Sequence, residues 1–183
     1  MGDETGEASR FLGAAEVDSP LDLRSAWYDG IEPMQWLAQP WIARGEIHNI
    51  IADSGVGKSL LALDIAIGLA TGGDILGGHA KASAPVRVAY VDRDSGVGQT
   101  KRRILSLLRG RFLGEPPDSI WTNLFVYSDT SMMLHGHGYG PLQRMITDVS
   151  PAVVFFDALR ALHDMNEDSS RDMANIYRGV LRP

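Results

Sequence analysis

The sequence predicts an α/β layered fold on a mainly parallel sheet, and three observations carry that prediction. Short runs that are apolar at every position alternate with helical stretches. A glycine-rich turn joins the first run to a helix, and that helix is apolar nearly all round. In chain order, Ile47 to Ala52, Val86 to Val91, Leu124 to Tyr127 and Ala152 to Phe156 read as strands, with helices opening near Gly57, Gly98, Pro141 and Ser170. Strict alternation implies right-handed crossovers and helices on both faces of the sheet. Val153-Val154-Phe155-Phe156 has the composition of a strand covered on both sides. Leu60 to Ala70 has the composition of a helix buried against it.

With 183 residues and 44% hydrophobic content, the chain has material for one sizeable core. Residues 1–24 read as an acidic, flexible N-terminal tail: Asp3, Glu4, Glu7, Glu16, Asp18 and Asp22 stand against few large apolar residues. Residues 25–183 read as the core, which stops at Arg182-Pro183 where another strand is expected; it reads either as C-terminally incomplete, a fragment of a longer protein, or as a reduced module completed by another chain. Trp27, Tyr28, Trp36 and Trp41 arrive close together and are expected to pack into the edge of that core. A net charge of -6 argues against a uniformly basic, nucleic-acid-coating surface but leaves room for a local basic channel. The absence of cysteine excludes disulfides and thiol chemistry. The N-terminus lacks the basic-then-apolar pattern of a secretory signal. Leu60 to Ala70, interrupted by Asp64, is too short to span a bilayer, so a soluble, cytoplasmic protein without a membrane partner is expected.

The strongest motif is Ala52-Asp53-Ser54-Gly55-Val56-Gly57-Lys58-Ser59, which matches the phosphate-loop pattern except for Ala52 at its first glycine. Gly55 and Gly57 permit backbone angles that turn successive N-H groups inward, and the following helix N-terminus adds positive potential. Ser54, Gly55, Val56, Gly57, Lys58, Ser59 and Leu60 are the candidate nucleotide-binding set. Lys58 supplies the mobile charge, and Ser59 a hydroxyl for a magnesium ion. Asp53 would repel phosphate and is expected either to point outward to solvent or to cap the loop.

Val153 to Asp157 has the form of a Walker B strand, delivering a carboxylate to the strand's carboxyl end, where α/β sites assemble. Asp157 is the second candidate magnesium ligand; the competing reading is a turn cap. Val88 to Asp94 ends another strand with two carboxylates around an arginine. Asp94 is the candidate base for orienting water; the alternative is that Asp92 and Asp94 pair with Arg93 or cap the next helix. Ser95-Gly96-Val97-Gly98-Gln99-Thr100 echoes the loop with Gln99 in place of Lys58, so it reads as a tight turn needing the same glycines.

Less specific signals accompany these. Lys101, Arg102, Arg103, Arg109 and Arg111 decorate a helix whose Ile104, Leu105 and Leu108 face inward, which reads as a solvated basic face, with DNA phosphate contact as the alternative. Arg160 is read either as reaching a neighbouring subunit or DNA, or as bridging to the acidic loop after it. His135 and His137 read as part of a glycine-rich loop, and Ser169 and Asp172 as a capping pair.

Taken together, Trp36-Leu37, Ile42 to Glu46, Gly55 to Asp64 and Phe156 to Leu162 resemble the RecA-like superfamily, most closely the RepA-like hexameric helicase ATPases, relatives of DnaB-type helicases. The resemblance covers roughly Trp36 to Arg103 and Pro151 to Val180. It implies a RecA-like P-loop NTPase core using ATP and Mg2+, with Lys58, Asp94 and Asp157 as catalytic residues. It further implies a helicase-type motor in DNA replication or recombination, with single-stranded DNA and a homo-oligomeric ring or filament as partners. Where the family has a glutamate to activate water, this chain has the shorter Asp94, and the family's sensor and arginine finger would lie beyond residue 183. The alternative is a nucleotide-dependent binding or switch module with weak or no hydrolysis.

Overall fold

The computed structural model describes residues 22–30 and 33–163. The chain forms two compact units, Met1–Pro33 and Met34–Pro183. In the first, helix α1 (Leu23–Asp29) is opened by Asp22, whose carboxylate accepts from the Arg24 and Ser25 amides at 3.0 Å. This helix buries none of its residues: Trp27 is 84% exposed and Tyr28 75%. Within this unit the two rings therefore have no core of their own to enter. The tail predicted for 1–24 falls mostly outside the described residues.

In the second unit, β1 (Trp36–Gln39) turns back onto β2 (Ile42–Ala43). Helix α2 (Lys58–Thr71) follows, then β3 (Asp74–Ile75) and β4 (Ala80–Ala82). These four short strands form an antiparallel sheet in the order β2-β1-β4-β3. Next come β5 (Val88–Asp92), α3 (Val97–Arg111), α4 (Asp118–Asn123), β6 (Leu124–Ser128), α5 (Tyr139–Val149) and β7 (Val153–Asp157). Strands β6-β5-β7 form a parallel three-stranded sheet with β5 at its centre. The helix predicted near Ser170, with Ser169 and Asp172, lies outside the described residues.

Side-chain alternation divides the parallel sheet into two faces, because successive residues of a strand point to opposite sides. Val88 and Tyr90, with Val126, Val153 and Phe155, join the core that contains Leu63, Ile67 and Leu69 of α2. Ala89 and Val91, with Val154 and Phe156, join the core that contains Leu142, Met145 and Val149 of α5. Helices thus cover both faces, as predicted, and β5 is buried at all five positions. Helix α2 buries eight residues, including both Leu63 and Leu69, which accounts for its apolar character all round.

Two predicted features differ. Ile47 to Ala52 forms no strand, and Ile51 is 90% exposed. Its apolar run qualified it as a buried strand, but a strand exists only where its backbone pairs. A cavity of ≈ 1010 Å³ lies between this segment and β7, lined by Ile47, Ile50, Val153 and Phe155 among others. The ends of the segment are tied elsewhere, by His48 Nε2 accepting from the Ala43 amide at 3.1 Å and by the Lys58 ammonium at Ala52 and Asp53. On α3, Leu108 is buried but Leu105 is exposed, so the apolar stripe is narrower than predicted.

Candidate functional site

The loop before α2 has the backbone that its glycines were predicted to permit. Gly55 and Gly57 adopt φ of 81° and 98°, the left-handed region where a side chain would be strained. Gly57 is the N-cap of α2 and brings no side chain to cap the helix. The first-turn amides of a helix lack intrahelical acceptors, so an anion at this end finds N-H donors and the positive end of the helix dipole. No heavy atom would stand within 4 Å of a Cβ at either glycine, so their role is conformational freedom alone.

Lys58 folds back over this loop. Its ammonium donates to the carbonyls of Ala52 and Asp53, both at 2.7 Å. An ammonium on a four-carbon stem can exchange these two carbonyls for phosphate oxygens while the loop stays in place. Asp53 is exposed. Ser59 and Leu60 complete the first turn of α2.

Asp157 ends β7, and residue parity places it on the same sheet face as Phe155, the face that α2 covers. A side chain at residue 157, rather than 156, therefore stands on the α2 side of the sheet. Lys58 and Asp157 border the same cavity. Asp157 Oδ2 accepts a hydrogen bond of 2.6 Å from the Tyr90 hydroxyl, which also lies 3.5 Å from the carbonyl oxygen of Ser59. Burial first, and then the hydrogen bond to Asp157, push the Tyr90 hydroxyl well above the ordinary tyrosine range. The peptide after Asp157 is cis.

The end of β5 separates its two carboxylates. Asp92, paired in register with Asp157, is 1% exposed and organises the turn. Its Oδ1 accepts from the amides of Asp94 at 3.1 Å and Ser95 at 2.8 Å, and its Oδ2 accepts from Thr100 Oγ1 at 2.5 Å. Asp94 is exposed, and its carboxylate makes no hydrogen bond or ion pair among the described residues. Arg93 pairs with neither: its amide donates to the Asp157 carbonyl at 2.7 Å, while its guanidinium donates to the carbonyls of Thr130 and Ala161. It thereby ties together the segments that leave β5, β6 and β7.

The echo loop is corrected in one respect. Gly96 has φ of -73°, and neither it nor Gly98 enters the positive-φ region. The turn does not need glycine, because the Asp92 carboxylate collects its amides instead. Of the basic residues on α3, Arg103 donates to Ser95 Oγ at 2.6 Å and Arg111 pairs with Asp64, leaving Lys101, Arg102 and Arg109 exposed. Sequence reading overlooked Tyr90 because, inside the run Val88 to Val91, it looks like one more core ring.

These donors suit a nucleoside triphosphate with a magnesium ion: uncapped helix amides, a mobile ammonium, a serine hydroxyl and a strand-end carboxylate, all hard oxygen or N-H groups. Residues 18–182 match a family model described as an AAA domain, the AAA-type P-loop ATPases related to RecA- and DnaB-like helicase domains. No curated protein matches the chain.

Proposed function

The chain belongs to the AAA domain family, a family of nucleotide-binding ATPases, and from that premise we propose that it has a RecA-like core and acts as a Mg2+-dependent ATPase motor on DNA, in replication or recombination. The observation that carries the reading is the uncapped start of α2 at Gly57, with Lys58 and Asp157 on the walls of one cavity.

In this reading the amides from Ser54 to Leu60 hold the phosphates, and Lys58 leaves the Ala52 and Asp53 carbonyls to neutralise them. Ser59 and Asp157 hold the ion, which when bound supplies charge neutralisation at the phosphate oxygens. Asp94 orients the attacking water and accepts its proton. Single-stranded DNA is the polymer partner, and the exposed Lys101, Arg102 and Arg109 of α3 support a phosphate-contacting face. Assembly into a ring or filament belongs to the same proposal.

One observation favours a second reading, a nucleotide-dependent switch with slow hydrolysis. The exposed Asp94 carboxylate, one methylene shorter than a glutamate, has no partner among the described residues to aim it.

The test is ATP turnover with and without single-stranded DNA, for the wild type, Lys58→Ala and Asp94→Asn. The motor reading expects stimulation by DNA, loss of nucleotide binding in Lys58→Ala, and kcat lowered about 10²- to 10⁴-fold in Asp94→Asn. Turnover unaffected by DNA contradicts the motor. Turnover unaffected by Asp94→Asn removes that residue from the reaction.

A further inference from the structure

We propose that Tyr90 is a positioning residue for Asp157, fixing one carboxylate oxygen so that the other remains available to the nucleotide-bound magnesium ion; this rests on the reading of Ser59 and Asp157 as the metal site. Tyr90 has 0% exposure at the centre of the sheet, where an apolar side chain would fill the core without any polar demand. Its hydroxyl is placed between the two candidate metal residues, 2.6 Å from Asp157 Oδ2 and 3.5 Å from the Ser59 carbonyl. A phenol carries one proton, and the shorter contact to a carboxylate is the bond that uses it.

The ring cannot follow a wandering carboxylate. It pairs in register with Phe155 on the neighbouring strand and stacks on that ring, with centroids 5.8 Å apart and planes at 23°. Phe155 precedes Asp157 by two residues on the same sheet face, so the strand that carries the carboxylate also clamps the ring that holds it. The arrangement is that of an outer partner fixing a metal ligand, whose loss typically weakens metal binding about 10- to 100-fold.

The experiment is titration of Mg2+ into protein with a fluorescent ATP analogue, for the wild type, Tyr90→Phe, Asp157→Asn and the double variant. Tyr90→Phe is expected to raise the Mg2+ concentration for half-maximal effect about 10- to 100-fold, with analogue binding in EDTA unchanged. In the Asp157→Asn background the same substitution should add no further shift, since the tyrosine acts through that carboxylate. A Mg2+ midpoint equal to wild type in Tyr90→Phe, or an equal shift in both backgrounds, overturns the proposal alone. Wild-type protein that binds no analogue overturns the metal-site reading with it. Should Tyr90→Phe not fold, Tyr90→Met, which also lacks the hydroxyl, is carried through the same titrations.

Discussion

Replacing Asp92 with alanine tests how the turn that carries Asp94 is held. Asp92 is 1% exposed and receives three donors: the Asp94 amide at 3.1 Å, the Ser95 amide at 2.8 Å and Thr100 Oγ1 at 2.5 Å. Each buried donor left without an acceptor costs about 1–3 kcal/mol. The Asp94 and Ser95 amides can regain water, because Asp94 is exposed and Ser95 half-buried. Thr100 is 2% exposed and, among the described residues, has only the Gly96 carbonyl at 3.4 Å and Ser128 Oγ at 3.3 Å to turn to. Counting Thr100, which keeps longer contacts alone, as the largest loss and the two amides as partial ones, Asp92→Ala should cost about 3–5 kcal/mol. Asp92→Asn keeps an acceptor for both amides and should cost only about 1–2 kcal/mol. In urea unfolding followed by circular dichroism, with m of about 2 kcal/mol/M, Asp92→Ala should lower the midpoint by about 1.5–2.5 M at unchanged m. An Asp92→Ala midpoint within about 0.25 M of wild type, or Asp92→Asn as costly as Asp92→Ala, would refute the reasoning.

Other outcomes follow from the same structure. Leu63→Ala, deleting a side chain 1% exposed in the α2 core, should cost about 2–5 kcal/mol by the same unfolding assay. Gly57→Ala should cost about 1–2 kcal/mol, because alanine at φ 98° is strained, whereas Gly96→Ala, at φ -73° with no atom within 4 Å of its Cβ, should change stability by less than about 0.5 kcal/mol. Equal effects of the two glycine substitutions would contradict the difference between the loops. Because the Tyr90 hydroxyl holds its proton more tightly folded than unfolded, its contribution is present below the unfolded value near 10 and is lost as pH rises above it. Stability above that pH should fall more steeply in wild type than in Tyr90→Phe, by up to about 1.4 kcal/mol per pH unit, and parallel slopes would deny the linkage.

Much of this architecture was legible because two patterns were strong. The runs ending at Val91, Tyr127 and Phe156 became β5, β6 and β7 within one or two residues, and the all-round apolar Leu60 to Ala70 became the buried α2. The small antiparallel sheet was not legible: strands of two to four residues such as Asp74–Ile75 carry too few positions for alternation to register. Ile47 to Ala52 shows the reverse failure, since composition reports a liking for burial and says nothing about whether an edge is available to pair with.

At the site, the letters of the loop were a fair guide to its backbone at Gly55 and Gly57 but misled at Gly96 and Gly98, where Asp92 does what glycine was expected to do. Asp92 and Asp94 look alike in sequence, and only burial separates a carboxylate that holds a turn from one exposed to solvent. The hydroxyl of Tyr90 was hidden for a related reason: its value lies in what stands across the sheet, at Asp157, sixty-seven positions away in the chain.

The central claim is that the amides opening α2, with Lys58, receive a triphosphate. A crystal structure with Mg2+ and a non-hydrolysable ATP analogue tests it directly. The expected result is phosphate oxygens on the amides between Gly55 and Leu60, with the Lys58 ammonium moved from the Ala52 and Asp53 carbonyls onto them. Phosphates bound elsewhere, or Lys58 still donating to both carbonyls beside a bound nucleotide, would contradict it.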